Sequence, residues 1–103
     1  MIARLWTGRT RAEDRDQYLK YLENTGVPGC QGVSGNTGVQ ILARLDGDVA
    51  EFVFVSFWES MEAIKGFAGE DTERAVYYPE DRRYLLSLDP KVRHFDVPVN
   101  RHR

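Results

Sequence analysis

The feature that most constrains the fold is a strand that runs directly into a helix over residues 52–69. Residues 52–58 are β-branched or aromatic apart from one serine, which is typical of a buried strand. Ser60 predicts a helix N-cap, and Gly69 is suited to the C-terminal cap. Between the caps, apolar residues follow the spacing of an amphipathic helix: Met61, Ile64, Phe67 and Ala68. Trp58 therefore lies at a strand–helix joint.

The strand before this joint is predicted to form a hairpin with residues 39–45. Asp46-Gly47 is typical of a two-residue type I′ turn, which would pair Leu45 with Asp48. One face of the hairpin then carries Val39, Ile41, Ala43, Ala50, Phe52, Phe54, Ser56 and Trp58. The other face carries Leu42, Val53, Val55 and Phe57 among its residues. Both faces are apolar, whereas a sheet with one face in water alternates apolar and polar residues.

A first strand and a first helix precede the hairpin. Residues 2–9 predict a strand with Arg4 and Trp6 on one face. Thr10 and Glu13 fit a capping box that begins a helix. That helix is expected to end where the chain reaches Gly26 and Pro28.

Residues 27–38 are rich in glycine and predict a loop. A phosphate-cradling loop is the less favoured interpretation, because these glycines lie between a helix and a strand rather than before a helix. Residues 91–97 predict a last strand. The order βαββαβ predicts an α+β ferredoxin-like plait, an antiparallel sheet with both helices on one face.

Composition restricts the classes of function. The chain has 103 residues, which predicts one domain over residues 1–98 and a basic tail, 99–103, that we expect to be disordered. A formal charge of −2 argues against a nucleic-acid partner. The single cysteine, Cys30, excludes an internal disulfide and a cysteine metal site. Without a signal-like start or a membrane-spanning run, we expect a cytoplasmic protein with no membrane partner.

The apolar face that the helices do not cover predicts a homodimer. An exposed apolar patch of that size is a liability in a monomer, and two copies can bury it by packing their sheets face to face. The expected partner of the chain is therefore a second copy of itself.

The joint at residues 57–64 resembles the antibiotic biosynthesis monooxygenase (ABM) superfamily of dimeric α/β barrels. In that superfamily a tryptophan closing the third strand and a serine-initiated helix recur. Residues 4–8, 77–81 and 92–95 are similar to an uncharacterised branch of it. Known members oxidise polycyclic phenols or quinols with O₂ and no bound cofactor. The resemblance implies a cofactor-independent monooxygenase, with no metal, acting on a phenolic aromatic substrate.

A haem-degrading branch of the superfamily resembles the chain at Trp58, the ring that lies beside the porphyrin there. That branch also needs an asparagine on the first strand and a histidine on the second helix as iron ligand. The first strand here offers Arg4, Trp6 and Thr7, and residues 60–78 contain no histidine. Haem degradation is therefore not expected.

A cofactor-free oxygenase needs a base and an oxyanion stabiliser. His94, the one histidine in predicted regular structure, is the candidate base; the alternative is a core or interface histidine. Arg4 is the candidate oxyanion stabiliser and could equally pair with Asp96. Glu80 and Asp81 are interpreted as acids that suit a helix dipole, not as an acid–base pair.

Such an enzyme also needs an apolar pocket for its substrate. The candidate substrate-binding residues are Trp6, Trp58, Phe67, Tyr77 and Tyr78. The tryptophans could equally be core residues, and the tyrosines more readily fasten the irregular segment after the second helix.

Two alternatives to an enzyme remain at this point. One is a non-catalytic dimer that binds a small aromatic or apolar ligand. The other is a dimer whose cavity is filled by its own side chains. A structure with an open aromatic cavity would favour the enzyme and the ligand-binding dimer over the dimer with a filled cavity.

Overall fold

A computed structural model describes residues 1–102 of the chain. Its four strands are β1 (Ile2–Arg11), β2 (Asn36–Asp46), β3 (Val49–Trp58) and β4 (Arg93–Asp96). All pairs are antiparallel, and the order across the sheet is β2-β3-β1-β4. The edge strands are therefore β2 and β4, and β1 and β3 form the centre.

Four helices and a short 3₁₀ turn connect the strands. The turn spans Ala12–Asp14 and leads into α1 (Arg15–Asn24), which α2 (Gly26–Gln31) follows after a single residue. After β3 come α3 (Met61–Ala68) and the one-turn α4 (Asp81–Tyr84). The predicted α+β ferredoxin-like architecture, with helices against one face of an antiparallel sheet, is confirmed.

The strand–helix joint has the predicted geometry. The Ser60 side chain accepts a hydrogen bond from the Ala63 backbone N–H at 3.1 Å and so caps α3. Gly69 ends α3 with φ of +84°, a conformation that glycine adopts without strain. Ile64 and Trp58 are fully buried in the core. Ile64, Phe67 and Ala68 of the predicted stripe thus pack on the core, whereas Met61 is 37% exposed.

The predicted capping box is wrong. Thr10 belongs to β1, where it lies opposite Ala50 of β3, and its hydroxyl donates to the Arg11 carbonyl at 2.9 Å. Pairing with β3 extends β1 to Arg11, two residues beyond the predicted end. The cross-strand ladder, a tertiary contact, therefore overrides the local capping pattern at Thr10.

The loop predicted over residues 27–38 is wrong over 27–31, which belong to α2, and over 36–38, which belong to β2. Pro28 is tolerated because it lies in the first turn, where the N–H groups have no intrahelical acceptor. Gly26 lets α2 approach the sheet, since an added Cβ would lie 3.1 Å from the Phe54 ring. Cys30 in the same helix is fully buried. Tertiary packing, rather than local propensity, stabilises this short helix.

The hairpin turn is displaced by one residue from the predicted position. Asp46 pairs with Val49, so Gly47 and Asp48 form the turn. Gly47 has φ of +60° and Asp48 has a negative φ, which fits type II′ rather than type I′. Leu45 lies opposite Ala50 instead of Asp48, which is a shift of two residues in the pairing register. Because side chains alternate between the two faces, a shift of two leaves each side chain on its predicted face, and the predicted faces are confirmed.

The end of the chain returns to the start of β1. The Val97 N–H donates to the Met1 carbonyl at 3.2 Å, next to β4. Residues 99–102 follow, and Arg103 of the expected tail lies outside the described residues. Among residues 1–102, no helix has both the length and the apolar character required to cross a bilayer.

Candidate functional site

A cleft opens between the helix-covered face of the sheet and the segment that follows α3. Its wall is mostly aromatic and apolar, and its lining includes Arg4, Trp6, Phe54, Phe67, Tyr77 and Tyr78. The cleft has a cavity volume of about 50 Å³, and its empty space is about 480 Å³ when the open mouth is counted. An aromatic wall with few polar groups is typical of a small-molecule site.

Arg4 lies in this wall and is 4% exposed. Its Nη2 donates to the Arg74 carbonyl at 2.7 Å, and its Cζ lies 5.6 Å from the centre of the Phe67 ring. Its Nη1 is buried without a hydrogen-bond partner. The alternative pairing with Asp96 is wrong, because Asp96 lies opposite Ile2 and makes no ion pair with Arg4. Burial lowers the pKa of Arg4.

His94 lies opposite Arg4 in the β1–β4 register, on the same face of the sheet. Its Nε2 is buried without a partner. It is not among the residues that line the cleft. Burial lowers the pKa of His94, and the charge of Arg4 lowers it further, whereas Glu73 opposes the shift.

This lowered pKa predicts a loss of stability in acid. The folded protein binds fewer protons at His94 than the unfolded chain, whose histidine has a pKa of about 6.5. The contribution is therefore present above pH ~6.5 and is lost as the pH falls through the lowered folded-state value. We expect the melting temperature of the wild type to fall more steeply from pH 7.5 to 5 than that of His94→Gln. His102→Gln, at an exposed position, should retain the wild-type slope, and equal slopes for wild type and His94→Gln would contradict the prediction.

Trp6 connects the sheet to the segment over the cleft. Its Nε1 donates to Tyr77 Oη at 3.3 Å, and the two rings meet edge to face with centroids 6.3 Å apart. Tyr77 Oη in turn donates to the Asp89 carbonyl. Gly8 leaves room for Trp6, since an added Cβ there would lie 2.2 Å from the indole. Trp6 and Tyr77 thus form one wall held by hydrogen bonds.

Trp58 lies behind the cleft wall rather than in it. It is fully buried, and its Nε1 donates to Ser56 Oγ at 2.8 Å. Its ring packs on Phe67 with centroids 5.9 Å apart. Of the candidates from the sequence, the cleft brings together Arg4, Trp6, Phe67, Tyr77 and Tyr78. Trp58 and His94 are neighbours of this group and do not line the cleft.

The sequence interpretation missed a buried tyrosine–aspartate pair at the cleft. Tyr18 Oη donates to Asp81 Oδ1 at 2.8 Å, and the Tyr78 N–H donates to Asp81 Oδ2 at 2.6 Å. Asp81 is 3% exposed and Tyr18 is fully buried. Burial raises the pKa of Tyr18, and the nearby Asp81 adds to this shift. The spacing of Asp81 three residues after Tyr78 was the available local signal, but its partner on α1 was not visible from sequence.

Removal of the Tyr18 hydroxyl is expected to destabilise the protein. Tyr18→Phe leaves one oxygen of the buried Asp81 carboxylate without its donor, and a hydrogen bond to a charged group contributes about 1.5–3 kcal/mol. Urea denaturation should show a loss of that size. Tyr84→Phe is the matched control, because no hydrogen bond from the Tyr84 hydroxyl is found among the described residues. A loss in Tyr84→Phe as large as that in Tyr18→Phe would contradict a specific role for the Asp81 contact.

Cys30 lies beneath the cleft, close to Ser56 and Arg4. Burial raises the pKa of its thiol to about 11, despite opposing effects of a hydrogen bond with Ser56 and the Arg4 charge. The thiol is therefore protonated at neutral pH, so it is a poor nucleophile.

The fold and the cleft define a ferredoxin-like domain with an aromatic cleft that contains an arginine. No family model and no curated protein matches the chain. A Bacillus cereus protein assigned to the antibiotic biosynthesis monooxygenases is similar in structure, with a TM-score of 0.70 and 17% identity, over 100% of this chain and 96% of the other. A variant of MhuD with two manganese protoporphyrin IX molecules bound per active site is similar over 100% of both chains, with a TM-score of 0.61 and 17% identity. The ABM fold implied by the sequence resemblance is thereby confirmed.

The porphyrin in the MhuD structure allows the cleft to be tested as a haem site. The lining of the cleft contains no histidine and no cysteine. Tyr77 is engaged by Trp6 and Asp89. Burial raises the pKa of Tyr78, which disfavours a phenolate ligand. These residues do not fit haem. Among residues 1–102, no cluster of three or more His, Cys, Asp or Glu side chains suits a metal ion either.

Proposed function

We propose that the protein is a cofactor-independent monooxygenase that oxidises a phenolic or quinol aromatic substrate with O₂. The observation that carries the proposal is the buried Arg4 guanidinium, with Nη1 unpartnered, in the wall of an aromatic cleft. Such a cation stabilises an aromatic oxyanion, and the anion is electron-rich enough to react with O₂. The ABM fold supports the proposal by analogy.

The proposed chemistry assigns a role to each candidate residue. His94 takes a proton from the substrate, and Arg4 stabilises the resulting oxyanion. The substrate lies against Trp6, Phe67, Tyr77 and Tyr78, with Trp58 packed behind Phe67. In an anthrone-type substrate a ring CH₂ becomes a carbonyl. One atom of O₂ enters the product, and the other leaves as water with the two hydrogens of the CH₂, so that four electrons pass to O₂.

The proposal includes the assembly and location expected from the sequence. The sheet face without helices carries Leu5, Val53, Val55 and Phe57, together with Phe95, which is 47% exposed. An apolar face of this kind supports a homodimer, in which a second copy would bury it. A cytoplasmic location completes the proposal.

The deciding experiment measures O₂ consumption by the purified protein with a panel of quinols and anthrone-type phenols. We expect uptake with one substrate class, and loss of that uptake in His94→Ala. His102→Ala, in the exposed tail, is the matched control and should retain full uptake. No uptake across the panel by a correctly folded protein would overturn the proposal, and uptake that survives in His94→Ala would remove His94 as the base.

A second candidate function is the binding of a small aromatic or apolar ligand without turnover. The absence of His94 from the cleft lining favours it, because a general base has to reach the proton that it removes. Ligand binding without O₂ consumption would support this candidate.

A further inference from the structure

Arg4 carries a positive charge that the described part of the protein does not balance. The side chain is 4% exposed, and no Asp or Glu among residues 1–102 forms an ion pair with it. Its neighbours are the Arg74 carbonyl, 2.7 Å from Nη2, and the face of Phe67. Nη1 has no acceptor. Buried charges in proteins are normally paired, so an anionic partner is missing at this position.

We propose that the ligand of the cleft is an aromatic carboxylic acid whose carboxylate pairs with Arg4. The inference rests on the proposed function in one respect, because it names the substrate class of the same cleft. A carboxylate accepts charge-assisted hydrogen bonds from a guanidinium, and the unpartnered Nη1 supplies a donor for such a bond.

A permanent anion balances Arg4 better than the oxyanion formed during turnover. An oxyanion exists only after a proton has left the substrate, so it cannot compensate the buried cation in the resting complex. A carboxylic acid is ionised before it binds, since its ordinary pKa is near 4. The charge of Arg4 is then balanced from the moment of binding.

The shape of the cleft agrees with an acid that has an aromatic body. The empty space of about 480 Å³, open mouth included, has room for an aromatic ring beside a carboxylate. With the carboxylate at Arg4, the ring lies against Trp6, Phe67 and Tyr77, which line the same cleft.

The charges along the cleft leave one place for the anion. Of the residues that line it, Arg4 is the single cation and Asp81 the single acid. Both oxygens of Asp81 accept hydrogen bonds, from the Tyr18 hydroxyl and the Tyr78 N–H. The other buried nitrogen without a partner, Nε2 of His94, belongs to the residue opposite Arg4 on β4. The missing partner is thus localised to the Arg4 end.

Calorimetric titration tests the inference without any turnover. The probes are benzoate, 2-naphthoate and anthracene-9-carboxylate, each compared with its carboxamide at matched ionic strength. We expect at least one acid to bind the wild type about tenfold tighter than its amide, as for a charge-assisted hydrogen bond. Arg4→Met should remove this preference, and Arg4→Lys should retain part of it. Arg93→Met removes an exposed cation from β4, the strand next to that of Arg4, and should leave the preference unchanged.

Two results would overturn the inference: equal affinity of the wild type for acid and amide, or no binding of any of the three acids. If Arg4→Met does not fold, the wild-type comparison and the Arg4→Lys variant still decide.

The proposed function can fail separately. Acid binding without O₂ uptake from any substrate sustains this inference and not the monooxygenase, whereas uptake with neutral phenols and no preference for acids gives the reverse.

Discussion

Replacement of Trp58 by alanine is expected to lower the free energy of unfolding by about 3–5 kcal/mol, the usual cost of truncating a large buried aromatic residue. Trp58 is fully buried between the sheet and α3, and its loss removes the contact with Phe67 and the hydrogen bond to Ser56. Domains of this size are stable by only about 5–15 kcal/mol. The variant should therefore be close to the limit of folding.

Urea denaturation followed by far-UV circular dichroism measures this effect. Trp58→Phe keeps most of the ring contact and loses the hydrogen bond to Ser56, so it should cost about 0.5–1.5 kcal/mol. Leu86→Ala, at a side chain that is 53% exposed, should change stability by less than about 0.5 kcal/mol. Trp58→Ala with wild-type stability but lost ligand binding would contradict a core role and return Trp58 to the cleft wall.

Replacement of Arg4 by methionine is expected to lower the turnover number for O₂ uptake about 10²–10³-fold, the range seen when one oxyanion-stabilising donor is removed. Methionine retains apolar contact with Phe67 but supplies no donor to the cleft. The loss should fall on kcat, because the oxyanion forms after the substrate has bound. A carboxylate ligand at Arg4 would add an increase in KM.

Steady-state oxygen consumption over a range of substrate concentrations separates kcat from KM. Arg4→Lys keeps the charge without the planar fork and should lie between the wild type and Arg4→Met. Arg93→Met is again the matched control, since Arg93 is exposed and does not line the cleft. An Arg4→Met protein that retains the wild-type kcat would exclude Arg4 as the oxyanion stabiliser.

Several features were predictable because their cause is local. The Ser60 cap, the glycine at residue 69 and the alternation of side chains along β3 depend on neighbours a few residues away. The hairpin faces were predictable even though the turn was displaced by one residue. The pairing register of the two strands then changes by two residues, which leaves every side chain on its face.

The candidate site was predictable in part. The alternation along β1 places Arg4 and Trp6 on one face, so these residues could be selected as a pair. Asp81 could not be selected, because its partner Tyr18 lies on α1, far away in sequence. Nor could the sequence show that Trp58 lies behind the cleft wall, since the side chain of a tryptophan at a strand–helix joint can point into a cleft or into the core.

The sequence by itself determined the order of the four strands, the two helices of the βαββαβ pattern and the two apolar faces of the sheet. Hydrophobic periodicity and helix capping depend on residues within a few positions of one another, so they can be identified without knowing the fold. The tertiary structure decided that Thr10 belongs to a strand and that residues 26–31 form a helix. It also decided that Arg4 is buried without an acid, because that depends on how the chain after α3 packs over the sheet.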